Sequence, residues 1–70
     1  MDEKLSVTEQ LKSGVALEIR GVLSRRGLLQ SDAAAILGVP ASKVSDVVRG
    51  RLRGYSLDRL TDWLQKLMGE

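Results

Sequence analysis

Three arginines, Arg49, Arg51 and Arg53, alternate along the run SKVSDVVRGRLRGYS (residues 42–56), between a short amphipathic stretch and Tyr55. Guanidinium groups this close in sequence repel one another, and an anion such as phosphate relieves the repulsion. The cluster belongs to a larger block. Residues 25–59 hold seven basic side chains (Arg25, Arg26, Lys43, Arg49, Arg51, Arg53, Arg59) against Asp32, Asp46 and Asp58, a local charge of +4. Residues 1–24 and 60–70 each carry a net −1, which brings the chain to +2. Such a block is either a solvated surface or a phosphate-binding footprint, and charge alone does not choose between them.

Other chemistries are excluded by residue type. The chain has no histidine and no cysteine, so the commonest general base, the commonest zinc ligands and any disulfide framework are missing. Asp58 and Asp62 have the i, i+4 spacing of a carboxylate pair. With no His or Cys beside them they read as the polar face of a helix. No catalytic site, metal or cofactor is expected. No apolar run approaches the roughly 18 residues of a membrane span, and Met1-Asp2-Glu3-Lys4 lacks the layout of a secretion signal. A small cytoplasmic protein is expected.

The elements that must position the arginines follow from periodicity. The chain has 70 residues, 43% of them hydrophobic, with one Trp, one Tyr and no Phe. One domain over residues 1–70 with an aliphatic core is expected. Leu11, Val15, Ile19, Val22 and Leu23 recur at helical spacing, predicting a first helix from about Val7 to Arg26 that buries this stripe. Ser6 and Glu9 have capping-box spacing at its start, and Gly27 suits its stop. Gly14 and Gly21 weaken such a helix unless they permit a close helix contact, so tight packing is expected there. A second helix is predicted from about Gln30 to Leu37, closed by Gly38, and a third from about Ala41 to Arg49, closed by Gly50. A fourth begins after Ser56, with Tyr55 and Leu60 placed as a hydrophobic staple. Leu57, Leu60, Leu64 and Leu67 form its expected buried stripe, with Trp63 beside them as core packing. No segment alternates as a strand does, so the fold is expected to be all-α.

The second and third helices are the diagnostic pair. Two short helices joined by a glycine turn form either a plain helical hairpin or a DNA-binding helix-turn-helix. From Gln30 onward, Ala33, Leu37, Val39, Val44 and Val47 are apolar, Ala34 is small enough for close helix approach, and Gly38 holds the turn. This spacing favours a helix-turn-helix over about residues 30–49.

The pieces GLLQSDAAAILGV, KVSDVVRG and RLRGYSLDRL resemble the Xre (phage-repressor-like, lambda-repressor-like) helix-turn-helix family, and within it the branch of HigA-type antitoxins. The likeness covers residues 27–69 closely and the first helix loosely. It implies a compact four- to five-helix DNA-binding domain, encoded by a bacterium or a phage. Such a domain docks its third helix in the major groove, as a homodimer on an inverted repeat, and represses transcription, often of its own operon. A cognate toxin is a further partner implied by the antitoxin branch. By position, Ala41, Ser42 and Asp46 would face base edges. Gln30 resembles the family's backbone-contacting glutamine, and Lys43, Arg49, Arg51 and Arg53 are the remaining phosphate candidates.

Leu29 and Pro40 depart from the Ser or Thr usual as N-caps, so Gln30 or Ser31 is expected to cap the second helix instead. Ala41 replaces a long polar base-reading residue and leaves only apolar contact, for example with a thymine methyl, so readout falls to Ser42, Asp46 and DNA shape. After the fourth helix, no extra helix or strand of the kind through which many relatives dimerise or meet a toxin is expected. The rival reading is a protein-interaction module whose basic face meets an acidic protein such as a toxin, with little DNA binding.

Overall fold

The computed structural model describes residues 6–69. Four helices follow one another: α1 (Val7–Arg26), α2 (Gln30–Leu37), α3 (Ala41–Val48) and α4 (Leu57–Leu67). Among the described residues there is no strand. None of the helices is long and apolar enough to cross a membrane.

Local chemistry sets the boundaries. The Ser6 hydroxyl accepts from the Glu9 N–H at 3.1 Å, and the Ser56 hydroxyl accepts from the Arg59 N–H at 3.0 Å, so both long helices start on a serine cap. Helix α2 starts at Gln30 with Leu29 as its N-cap, contrary to the expected shift to Gln30 or Ser31. Leucine has no acceptor, but the Asp32 carboxylate reaches back and takes the Leu29 N–H at 2.8 Å. This is the return half of a capping box, and it holds the helix start without the other half. Gly38 closes α2 at φ +71°, a conformation that lets the chain turn directly into α3.

The core gathers Ile19, Val22 and Leu23 of α1, Ala33 and Ala34 of α2, Val44 and Val47 of α3, Leu52 and Tyr55 of the last loop, and Leu60, Trp63 and Leu67 of α4. Helix α1 packs mainly on α4, and α2 on α3. The two long helices run in the same direction and are pinned at both ends. Lys12 near the start of α1 bonds the Tyr55 carbonyl just before α4, and Arg26 at the end of α1 bonds the Leu67 carbonyl at the end of α4. A guanidinium at that carbonyl end also complements the helix dipole.

The buried face of α1 differs from the expected stripe. Ile19, Val22 and Leu23 are buried as expected, but Leu11 is 51% exposed and Val15 only half-buried, and Lys12 and Ala16 turn inward in their place. Position 12 carries a charge and position 16 the smallest apolar side chain, so a hydrophobicity pattern misses the face that the backbone selects. In α4, Trp63 is buried with Leu60 and Leu67, whereas Leu57 and Leu64 flank them half-buried.

The expected tight packing at Gly14 and Gly21 is also absent. A methyl group at Gly14 would meet nothing within 4 Å, and one at Gly21 would meet only the flexible end of Arg25. Gly14 lies exposed inside α1, so it contributes only its conformational cost. Gly14→Ala is expected to stabilise the fold by about 0.5–1 kcal/mol, read as a higher urea midpoint at an unchanged m-value.

Candidate nucleic-acid interface

Three consecutive residues at the start of α3, Ala41, Ser42 and Lys43, are exposed, while Val44 and Val47 enter the core and Ser45 and Asp46 are half-buried. Gln30, the first residue of α2, is exposed as well. Helix α3 therefore offers its N-terminal half to solvent and buries the opposite face, as a helix must if it is to enter a groove.

The segment after α3 follows from a few hydrogen bonds. The Arg51 N–H donates to the Asp46 carbonyl at 2.8 Å and the Gly50 N–H to the Val47 carbonyl at 3.0 Å, which wraps the chain back over the helix end. That wrap needs Gly50 at φ +80°, and Gly54 at φ +86° makes the second corner. Between the corners Leu52 is buried, and Arg51 and Arg53 on either side of it are exposed. Burying the leucine thus splays the two guanidinium groups outward. Among the described residues, Arg49, Arg51 and Arg53 form no ion pair and no side-chain hydrogen bond. Among the described residues nothing compensates their repulsion.

Tyr55 anchors the other end of the loop. Its ring is buried against Trp63 in an edge-to-face arrangement, centroids 5.7 Å apart at 70°. Its hydroxyl donates to the Asp46 carboxylate at 3.3 Å and approaches the Lys43 carbonyl at 3.4 Å. Burial, then the Asp46 charge and hydrogen bond, push the Tyr55 hydroxyl above its ordinary pKa, against a smaller opposing effect of Arg59. At neutral pH it is a proton donor. Asp46 is consequently tied to the loop through one carboxylate oxygen, a structural bond that sequence reading did not anticipate.

Two further cations are held by the same rings. The Lys43 ammonium lies 5.9 Å from the Tyr55 centroid. The Arg59 guanidinium lies 5.3 Å from the Tyr55 centroid and 5.5 Å from that of Trp63. Cation–π contact of this kind fixes a side chain without neutralising its charge. Arg59 is counted in the basic block of the sequence but is not among the phosphate candidates drawn from it. The signal was available: Tyr55, Arg59 and Trp63 follow at successive steps of four residues.

Not every cation of the basic block is free to meet a ligand. Arg26 is committed to the end of α4. Lys12, outside the block, is committed to the loop: only 9% exposed, it donates to the Tyr55 carbonyl at 2.8 Å and pairs with Glu9 at 3.5 Å. Lys12→Met keeps the apolar stem but leaves a buried carbonyl without this donor. It is expected to cost about 1–3 kcal/mol, a fall of about 4–8 °C in Tm for each kcal/mol. A thermal melt followed by circular dichroism measures it. On the polar face of α4, Asp62 pairs with Lys66 at 3.2 Å, and among the described residues no group of three or more acidic side chains is placed to hold a metal ion.

Two short helices at a glycine turn, the second presenting a polar N-terminal half beside uncompensated arginines, define a helix-turn-helix DNA-binding domain. The chain belongs to the helix-turn-helix domain family, whose model matches residues 2–69, and is of the Xre type. It is therefore a DNA-binding regulatory domain, a class of non-catalytic module. No curated protein and no solved structure matches the chain.

Proposed function

We propose that this protein is a sequence-specific transcriptional repressor that acts as one domain over residues 1–70 and binds an inverted-repeat operator as a homodimer. Helix α3 enters the major groove. Ala41 and Ser42 meet base edges, Ala41 by apolar contact alone. Asp46 adds its second carboxylate oxygen, the first being held by Tyr55. Gln30, Lys43, Arg49, Arg51 and Arg53 take backbone phosphates, and Arg59, fixed on its two aromatic rings, joins them. Phosphate contacts supply most of the affinity by releasing counterions, and the base contacts supply the preference.

The observation that carries this reading is the exposed start of α3 beside a loop whose three arginines have no ion-pair or side-chain hydrogen-bond partner among the described residues. Selection of tight binders from randomised duplexes tests it. The selected sites are expected to be inverted repeats with half-site centres about one helical turn, roughly 34–36 Å, apart. Selected sites without two-fold symmetry would contradict the dimer, and no selection above background would contradict the DNA reading.

The base-facing residues give a separate prediction. Ser42→Ala is expected to change which base is preferred at one position per half-site, by about 1–3 kcal/mol, with an unchanged melting curve. Asp46→Ala is expected to change preference and also to lower stability, because it releases the Tyr55 hydroxyl. Competition binding against single-base operator variants separates the two effects.

A further inference from the structure

A second feature of the molecule is an open apolar groove between α1 and the C-terminal end of α3, with a volume of about 210 Å³. Ala16, Val47, Val48 and Leu52 form its floor, and Leu17, 62% exposed, forms its lip. Arg20 and Arg49 stand on its rim. No acidic side chain lines it, and among the described residues neither arginine has an ion-pair partner.

Size and charge together specify what fits. A cavity of about 150 Å³ takes up a benzene ring, so this groove has room for one bulky apolar side chain. Small-molecule sites are larger, about 300–1,000 Å³, and bury most of their ligand. This groove is open to solvent and not enclosed, which suits a segment of chain laid over it. A cationic rim around an apolar floor calls for carboxylates flanking the inserted side chain.

We propose that this groove docks an acidic peptide segment of a partner protein, which inserts one bulky apolar side chain over Val47, Val48 and Leu52 and sets carboxylates against Arg20 and Arg49. Arg49 is also one of the phosphate contacts proposed above. On that reading, which this consequence rests on, docking removes a DNA contact and the partner weakens operator binding. The groove then couples the presence of a partner to the release of DNA.

A display library of short random peptides, panned on the domain without DNA, tests the docking. Enriched peptides are expected to share one large apolar residue flanked by Asp or Glu. Leu17→Glu and Arg20→Glu, both at exposed positions of α1, are each expected to weaken the enriched peptide by about tenfold or more. Equal binding to the parent and to Leu17→Glu overturns the proposal, as does enrichment of peptides without acidic residues. Sedimentation showing that a second copy covers the groove, so that Leu17→Glu dissociates a dimer, overturns it too. Because panning and titration contain no DNA, failure of docking is distinct from failure of the DNA reading. With duplex added, the docked peptide is expected to lower the salt slope of binding by about one per subunit, about two for the bound dimer. An unchanged slope overturns the coupling through Arg49.

Discussion

The variant in which Arg49, Arg51 and Arg53 are all replaced by alanine is expected to bind duplex DNA more weakly on every sequence, not only on the operator. Each phosphate contact releases about 0.9 counterion, so loss of three contacts in each subunit flattens the plot of log K against log salt by up to about 2.7 per subunit, or about 5.4 for the bound dimer. Near 0.1 M salt this corresponds to about tenfold in affinity for each lost contact. The effect is one of binding and not of folding. All three side chains are exposed, and none makes an ion pair or a side-chain hydrogen bond among the described residues. Removing them also relieves mutual repulsion, so the melting temperature is expected to hold or rise. Anisotropy titrations at several salt concentrations give the slope, and single replacements apportion it among the three positions. A triple variant with the parent's slope would show that these arginines stay in solvent on the complex.

Trp63→Ala is expected to have the largest effect on the fold. Trp63 is 4% exposed, touches Tyr55 edge to face, and carries Arg59 above its ring. Truncating a buried aromatic to alanine costs about 3–5 kcal/mol. A domain of this length has roughly 0.05–0.15 kcal/mol of stability per residue, about 3.5–10 kcal/mol in all. The variant therefore loses from about a third of its stability to all of it. The loss reaches the DNA face as well, because Tyr55 packs on Trp63 and anchors the loop that carries the arginines. Urea denaturation followed by circular dichroism measures it, since the variant has no tryptophan to fluoresce. Trp63→Phe keeps a ring under Tyr55 and is expected to retain most of the stability. A loss below about 1 kcal/mol for Trp63→Ala would place the residue outside the core.

What the sequence made legible was punctuation. Ser6, Gly27, Gly38, Pro40, Gly50 and Ser56 are start and stop signals that act within a few residues, so the four helices could be placed before their packing was known. The orientation of α1 was not legible, because its inward face includes a lysine. That lysine is satisfied by the Tyr55 carbonyl, 43 residues further along, and no local pattern encodes such a bond. The same reason hid the tie between Asp46 and Tyr55, which changes Asp46 from a free groove residue into one that also fastens the loop. The basic block was visible as composition, but only the structure separates its members. Arg26 closes a helix end, Arg59 is stacked, and Arg49, Arg51 and Arg53 have no ion-pair partner among the described residues.

The central claim is that the start of α3 and the adjoining arginine loop form the surface that meets DNA. Amide chemical shifts of the isotopically labelled domain, titrated with a duplex at low salt, test it residue by residue. The expected perturbations fall on Gln30, on Ala41 through Asp46 and on Arg49 through Arg53, and fade as salt is added. Perturbations centred instead on the exposed side of α1 around Val7 and Leu11, or no perturbation at all, would contradict it.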